Sequence, residues 1–180
     1  MGLVTREEKG SKLTIQEMDG NLTYLDKIIA QDYTTSSVIL TTFAVETIVK
    51  VLTIPANTLK NNDCLELALY GFTDTLGGLE TRAYINSSNT LIEAKRIGNW
   101  YREGYIEGQP NLYGFPAILD QITIKNNKFL SYMQEFNVGD ISNNSAIDLS
   151  VDNYIIYTLT PLQGLPLTAT IEGILLKKIN

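Results

Sequence analysis

Two hydrophobic patterns divide the chain, a helical one near the N-terminus and an alternating one through the rest. Between Ile15 and Ile29, apolar residues recur at steps of three and four, which is the spacing of an amphipathic helix. From Val38 onward, short apolar runs alternate with polar residues at a period of two, which is typical of strands. The sequence therefore predicts one helix followed by a β-domain.

The predicted helix has a defined beginning. Thr14 and Glu17 form a capping box, in which the Thr hydroxyl and the Glu carboxylate each accept a hydrogen bond from a backbone amide. This capping box places the first helical residue at Ile15. The apolar positions of the helix form a two-heptad seam, which consists of Ile15, Met18, Leu22, Leu25 and Ile29.

A seam this narrow indicates a helix that needs a partner. About fifteen residues is marginal for an isolated helix in water, and Gly20 costs roughly 1 kcal/mol relative to alanine. Three partners fit the seam: other copies of the same helix, a groove on another protein, or the β-domain of the same chain. The seam residues are therefore a candidate oligomerisation or anchoring helix.

The β-domain is predicted from strands that are separated by regular turns. Leu65, Leu67 and Leu69 alternate with other residues in "CLELALYGF", and Asn126-Asn127 marks a tight hairpin because asparagine tolerates positive φ. Counting such segments gives roughly eight to ten strands. We predict an all-β fold with one N-terminal α-helix, in which the strands form a jelly-roll-like antiparallel β-sandwich.

The same patterns set the expected domain boundary. Residues 1–35 should hold an N-terminal anchor strap, the helix and a linker, while residues 36–180 should form the β-sandwich. The linker is the polar stretch "QDYTTSS", residues 31–37. The last apolar run, around Ile174, Leu175 and Leu176, has no polar side, which predicts a strand that is central in its sheet or packed against another subunit.

Charge and composition narrow the set of partners. The chain has 180 residues and a formal net charge of −6. Nucleic-acid binding normally needs a basic face, and an acidic chain is also repelled by anionic lipid. Apolar runs stay below the roughly 18 residues of a membrane span, and the acidic start does not resemble a signal peptide. We therefore expect no nucleic-acid partner, no membrane partner and no export.

Catalytic chemistry has little support in the sequence. The chain contains no histidine, which excludes His-based triads, imidazole bases and most zinc sites, and Cys64 has no imidazole to activate it. A glycosidase needs only two carboxylates, but the spacing of the available glutamates selects no pair. These are Glu66, Glu80, Glu93, Glu103 and Glu107. We expect no enzymatic activity, no catalytic residue and no cofactor.

An oxygen-rich stretch follows in the last third of the chain. Asp140, Asn143, Asn144 and Asp148 carry the oxygen ligands that calcium prefers, but their spacing misses that of an EF-hand loop. An asparagine-rich turn explains the same residues. We therefore predict a turn here and no metal site.

The sequence also contains a candidate binding surface between Gly98 and Phe115. The stretch "GNWYREGYIEGQPNLYGF" concentrates aromatic residues among glycines. Aromatic faces beside polar groups are what sugars and partner proteins contact. The candidate ligand or partner residues are Trp100, Tyr101, Arg102, Tyr105 and Tyr113. The alternative is that Trp100 and Phe115 anchor a long loop to the core.

Two stretches resemble segments of structural proteins of tailed bacteriophages. "KGSKLTIQEMDGNLTYL", residues 9–25, is similar to an N-terminal segment of tail fibres, head fibres and other virion attachments, with Leu22 in place of the usual phenylalanine. "TIPANTLKNNDCLELALYGF" is similar to the opening of a β-sandwich domain in the same class, with matches at residues 54–59 and Gly71. Together they cover a minor part of the chain, and neither carries a catalytic residue.

The resemblance implies a virion component, assembled in the host cytoplasm, that forms a homotrimer through its β-domain. Its N-terminus, including the strap at residues 1–9, would contact the major capsid or tail protein. The chain is short and lacks a long repetitive shaft, which favours a head fibre or capsid decoration protein. The main alternative is a short tail fibre or receptor-binding module whose aromatic stretch recognises a host-surface glycan.

Overall fold

One helix and thirteen strands make up the part of the chain that the computed structural model describes. That part comprises residues 10–25, 27–74, 79–100, 104–105, 113–114, 117–135, 139–162 and 166–179. The helix is α1 (Ile15–Leu25). The strands are β1 (Ile28–Asp32), β2 (Ser36–Leu40), β3 (Thr47–Ile54), β4 (Cys64–Thr73), β5 (Leu79–Asn86), β6 (Lys95–Trp100), β7 (Gly104–Tyr105), β8 (Tyr113–Gly114), β9 (Ala117–Lys125), β10 (Lys128–Glu135), β11 (Gly139–Ala146), β12 (Asn153–Pro161) and β13 (Leu167–Lys178).

The central strands form the two-sheet arrangement of a jelly roll. In the larger sheet, β2, β13, β4 and β9 are successive neighbours, and the smaller sheet has the order β3-β12-β5-β6. All of these neighbours are antiparallel. The chain crosses from one sheet to the other between β2 and β3, between β3 and β4, and between β4 and β5. The predicted fold class, a jelly-roll-like antiparallel sandwich with one N-terminal helix, is confirmed.

Short additional strands extend the larger sheet. β1 and β2 lie end to end along β13, where β1 pairs with residues 174–177 and β2 with residues 167–171. β10 and β11 continue the sheet beyond β9, while β7 and β8 form a two-residue ladder beside the end of β4. The strand number exceeds the roughly eight to ten predicted, because strands of two to five residues are too short to show a period.

The N-terminal edge of the β-domain differs from the prediction. The helix ends at Leu25, and Ile29 lies in β1 instead of on the helical seam. The predicted linker, residues 31–37, contains the end of β1 and the beginning of β2. The short apolar run that starts at Ile28 is compatible with the period of a helix and with that of a strand. It forms a strand because it pairs with Leu175 and Leu176 of β13.

The hydrophobic core lies between the two sheets. Leu65, Leu67 and Leu69 of β4 are fully buried in it, which confirms the predicted alternation, and Ile155 and Leu159 approach it from β12. A sandwich stabilises itself by packing such inward side chains of both sheets against each other.

β13 occupies a central place in its sheet. It pairs with β1 and β2 along one edge and with β4 along the other. Ile174, Leu175 and Leu176 are all buried within this one chain, which confirms the first of the two predicted explanations for this apolar run. The tight hairpin is confirmed as well, since Asn126 and Asn127 have φ values of 52° and 54° between β9 and β10.

A buried lysine ties the two sheets together at one edge. Lys50 Nζ of β3 lies 2.7 Å from Asp32 Oδ2 of β1 and also donates a hydrogen bond of 2.7 Å to the carbonyl oxygen of Thr34. The hydrogen bonds from Lys50 and from the Thr34 amide lower the pKa of Asp32 to about 2. A buried ammonium group needs such partners, because an unpaired buried charge is strongly destabilising.

We expect the Asp32–Lys50 pair to make stability depend on pH in the acid range. The pKa of Asp32 falls from an ordinary 3.8 to about 2 on folding, so its contribution is complete above pH 3.8 and is lost as the pH falls towards 2. Urea unfolding of wild type and Asp32→Asn across this range checks the expectation. The difference between the unfolding free energies of wild type and Asp32→Asn should decrease as the pH falls. A difference that stays constant over this pH range would contradict the expectation.

Candidate functional site

α1 presents its apolar residues to solvent. The predicted capping box is confirmed: the Thr14 amide donates to Glu17 Oε2 at 2.6 Å, and the Glu17 amide donates to Thr14 Oγ1 at 3.2 Å. Ile15, Met18 and Leu22 are 69%, 45% and 62% exposed. The described part of the β-domain therefore does not cover this side of the helix, which argues against one of the three predicted partners.

The seam is shorter than the predicted two heptads. The helix has 11 residues, its last residue is Leu25, and Ile29 packs against the core from β1. The side chain of Leu25 lies outside the described part of the structure. Ile15, Met18 and Leu22, which we call the helix stripe, remain. A stripe of one heptad on so short a helix is too weak to hold copies of the chain together alone, which favours a groove on another protein.

The backbone brings two of the candidate aromatic residues together. Tyr105 and Tyr113 are cross-strand partners in the β7–β8 ladder, and Tyr113 also pairs with Thr73 of β4. Trp100 is the last residue of β6 and pairs with Thr81 of β5. Cross-strand partners have Cβ atoms about 5 Å apart, so the ladder places both tyrosines at one point of the sheet.

Other members of this candidate surface lie outside the described residues. These are Tyr101 and Arg102, as well as Phe115 of the alternative core-anchor hypothesis. The side chains of Trp100, Tyr105 and Tyr113 are likewise not described. Both explanations of the aromatic stretch therefore stay predictions.

A polar cluster lies on the smaller sheet, on the side that faces away from the core. Arg82 of β5 binds both carboxylate oxygens of Glu80, at 2.6 and 2.7 Å, and its Nη1 reaches Glu46 Oε2 at 3.2 Å. The hydroxyls of Tyr84 and Thr158 both donate to Glu46 Oε1, at 2.7 and 2.5 Å. The cluster joins β5, β12 and the segment that leads into β3.

The electrostatics of the cluster favour a bracing role. Burial opposes ionisation of Glu46, but hydrogen bonds from Thr158 and Tyr84, together with the charge of Arg82, hold its pKa below the usual value. Burial likewise opposes the charge on Arg82, but its hydrogen bond to Glu80, together with the charges of Glu80 and Glu46, raises its pKa above the usual value. A general acid or base works best with a pKa near neutrality, whereas a permanently charged Glu46–Arg82 pair suits strand bracing.

Sequence reasoning missed this cluster, although part of it was visible. Glu80, Arg82 and Tyr84 alternate along β5, and a period of two places them on one side of the strand. Glu46 and Thr158 come from distant parts of the chain. Only the pairing of β12 with β3 and β5 brings them to the same place.

The remaining candidate glutamates and Cys64 do not converge in the described structure. Glu66 forms an ion pair of 2.8 Å with Lys177 of the neighbouring β13, and Glu93 is exposed in the turn before β6. Glu103 and Glu107 lie outside the described residues. Cys64 begins β4 and is half-buried.

A cleft of about 380 Å³ opens at one end of the sandwich, where β5 and β11 end and β12 begins. Among its lining residues, Asp148 accepts two hydrogen bonds from Ser150 that lower its pKa, and Asn153 donates to the carbonyl oxygens of Asp148 and Val151. These bonds close the turn between β11 and β12. Asp148 and Asn153 are thus engaged in holding the turn.

The turn predicted for the oxygen-rich stretch is confirmed for Asp148, which lies between β11 and β12, but not for the other three residues. Asp140, Asn143 and Asn144 belong to β11, which pairs along its length with β10. For these three residues the prediction was wrong, because asparagine disfavours strands only weakly and the pairing with β10 overrides that preference. Among the described side chains, no three His, Cys, Asp or Glu residues gather as metal ligands do. Within the same residues, no helix combines the length and apolarity of a membrane span.

Comparison with solved structures finds a distant similarity to proteins of infectious bursal disease virus. Two of the matches are to the VP2 subviral particle of that virus and to its Gx strain, with TM-scores of 0.34 and 0.32 and identities of 13% and 15%. The alignments cover 83% and 85% of this chain but only 31% and 30% of the matched chains, so this chain spans about a third of their length. No protein-family model matches the sequence, and no curated protein matches it.

Proposed function

We propose that the protein is a structural component of a bacteriophage virion, attached to the particle through α1. The observation that carries the proposal is the exposure of Ile15, Met18 and Leu22 on a capped helix. An amphipathic helix of this kind gains stability when its apolar side lies in a hydrophobic groove. Residues 9–25 resemble an N-terminal segment of phage attachment proteins, which supports a capsid or tail protein as the owner of that groove.

The leading version is a head fibre or capsid decoration protein. α1 docks on the major capsid protein, while the jelly-roll domain projects from the particle and assembles as a trimer. Three linked helices reach effective concentrations in the millimolar range, which offsets the weakness of each docking contact. The function is adhesion by burial of apolar surface, and it needs no chemical step, cofactor or metal.

A short tail fibre or receptor-binding module is the second candidate. The backbone pairing of Tyr105 with Tyr113 in the β7–β8 ladder supports it, because it places two residues of a type that suits glycan faces at opposite positions of one ladder. The two candidates differ in what they bind. A decoration protein binds purified capsids and leaves cells alone, whereas a receptor-binding module binds cells, and its soluble form blocks infection.

Replacing Met18 and Leu22 together by glutamate is expected to weaken attachment to the particle by roughly a hundredfold or more. Both side chains are exposed, so the β-domain keeps its stability. In the groove, the two introduced carboxylates would have to be buried without partners, which is costly. Co-sedimentation of the full chain with particles of the parent virus that lack this protein measures the effect.

A matched control introduces the same residue on the polar side of the helix. Gln16 is exposed and lies off the stripe, so Gln16→Glu should bind the particle like wild type. Circular dichroism verifies that both proteins keep the helix and their Tm. Normal co-sedimentation of the Met18→Glu/Leu22→Glu protein would rule out the helix stripe as the anchor and overturn the proposal.

A further inference from the structure

The cleft at one end of the sandwich has the size of a small-molecule site. Its volume of about 380 Å³ lies within the roughly 300 to 1,000 Å³ that such sites occupy. One wall comes from the end of β5, the following turn and the start of β6, and the other comes from the end of β11, the following turn and the start of β12. We propose that this cleft binds a neutral sugar ring. The proposal deepens the second candidate function, on which it rests for the source of the sugar, and places recognition in the cleft.

The inner side of the cleft is apolar, and its outer side is polar. Ile85 and Ile147 line the inner side and belong to the hydrophobic core. The other lining residues include Glu93, Lys95 and Asp148, which are exposed. Small-molecule sites generally combine an apolar lining with a few polar groups that orient the ligand. A sugar ring matches this arrangement, because it has C–H groups on its faces and hydroxyl groups around its edge.

The charged residues that line the cleft have both signs. Lys95 supplies an ammonium donor, whereas Glu93 and Asp148 supply carboxylate acceptors. An anionic ligand would lie against two carboxylates, and a cationic ligand would lie beside the ammonium group. A hydroxyl group both donates and accepts hydrogen bonds, so the hydroxyls of one uncharged ring satisfy donors and acceptors together. The charges therefore favour a neutral sugar over an anion or a cation.

The charged groups of the cleft are available to a ligand. Within the part of the chain that the structure describes, the side chains of Glu93 and Lys95 form no hydrogen bond and no ion pair. The two hydrogen bonds that Asp148 accepts from Ser150 both end on Oδ1, which leaves Oδ2 to accept a bond from a ligand. A sugar in the cleft would therefore add hydrogen bonds without breaking those that hold the turns.

Hydrogen bonds within both walls hold the cleft before a ligand arrives. Asn86 Nδ2 donates to the carbonyl oxygens of Thr90 and Ile92, at 2.8 and 2.9 Å, and Asn153 closes the opposite turn. Glu93 has a φ of 62°, in the left-handed region that L-residues adopt uncommonly, so the turn imposes its conformation. Such preorganisation lowers the entropy that is lost on binding.

Titration of the full chain with the methyl glycosides of glucose, galactose and N-acetylglucosamine tests the proposal. Amide NMR spectra should show that at least one of them binds with a dissociation constant of roughly millimolar order. The shift changes should concentrate in residues 85–95 and 146–153. A double variant, Glu93→Gln with Lys95→Met, removes one charge of each sign and keeps the net charge at −6. It should raise the dissociation constant by roughly tenfold or more, because it removes charged partners of the hydroxyls.

The matched control makes the same two exchanges away from the cleft. Glu172→Gln with Lys12→Met replaces an exposed glutamate of β13 and an exposed lysine before α1, so this protein should bind the sugar like wild type. Unchanged Tm values verify that both double variants fold. Weaker binding by the cleft variant alone supports the proposal.

Two results would overturn the cleft as a sugar site. If wild type and the Glu93→Gln/Lys95→Met protein bind the sugar equally well, the sugar lies elsewhere, and the second candidate function stands without the cleft. If none of the glycosides binds wild type, the cleft does not recognise sugars. The second candidate function is then judged separately, by whether the soluble protein binds cells and blocks infection.

Discussion

Replacing Phe129 by alanine is expected to lower the free energy of unfolding by about 3 to 5 kcal/mol. Phe129 lies in β10, pairs with Ile124 of β9 and is fully buried in the main core. Truncation removes the ring from contact with the core and leaves a cavity that rigid strands cannot fill completely. This is the largest loss that we expect from a single side chain of the protein.

Lys128→Ala is the control for this variant. Lys128 precedes Phe129 in the same strand but is exposed, so its truncation should change the unfolding free energy by less than about 0.5 kcal/mol. Chemical denaturation of both variants at neutral pH measures the difference. Phe129 lies on the extension of the sheet beyond the eight-stranded jelly roll. A small effect of Phe129→Ala would show that β10 is an appendage that does not share the core.

Arg82→Ala is expected to destabilise the protein by about 3 kcal/mol. The buried carboxylate of Glu80 would lose the two hydrogen bonds that it receives from Arg82, at 2.6 and 2.7 Å. Glu46 would lose one partner but keep the hydroxyls of Tyr84 and Thr158. The side chain of Arg82 is 25% exposed, so solvent screens part of the loss, and we expect the lower end of the range for buried pairs.

Two further variants separate the lost charge from the lost geometry. Arg82→Lys keeps the charge but cannot bind both oxygens of Glu80 at once, so it should recover only part of the stability. A double variant, Arg82→Met with Glu80→Met, removes the buried charge together with its partner and should be more stable than Arg82→Ala. If the Arg82→Ala protein unfolds at the same denaturant concentration as wild type, the cluster does not brace the sheet.

The two halves of the proposed function depend on different surfaces of the molecule. The helix stripe is exposed on α1, whereas the proposed trimer is held together by the β-domain. A weak docking helix becomes an effective anchor only when several copies act together. Self-association through the β-domain would provide those copies, so variants that block docking of the helix and variants that block assembly should reduce particle binding by separate routes.

Local patterns in the sequence determined the fold class and several details of the structure. The alternation of Leu65, Leu67 and Leu69 predicted their burial, and the Thr14–Glu17 box predicted the first residue of the helix. The Asn126-Asn127 pair predicted the hairpin. Each of these features depends on residues within a few positions of one another, where periodicity and capping act directly.

Sequence reasoning reached only part of the candidate site. It identified the helix stripe, and it selected Tyr105 and Tyr113, which the backbone pairs. It also placed Ile29 on the helix, because a short apolar run is compatible with both the helical period and the strand period.

Tertiary structure determined the features that need contacts between residues distant in the chain. Ile29 became part of a strand because β13, near the other end of the chain, offered an unpaired edge to residues 28–32. Glu46, Arg82 and Thr158 became one cluster because β12 lies between β3 and β5. A period describes one segment at a time, whereas strand order is settled by the joint burial of all segments. The sequence by itself thus determined the kinds of elements and their inward sides, and the assembled sheets determined which side chains meet and which remain exposed.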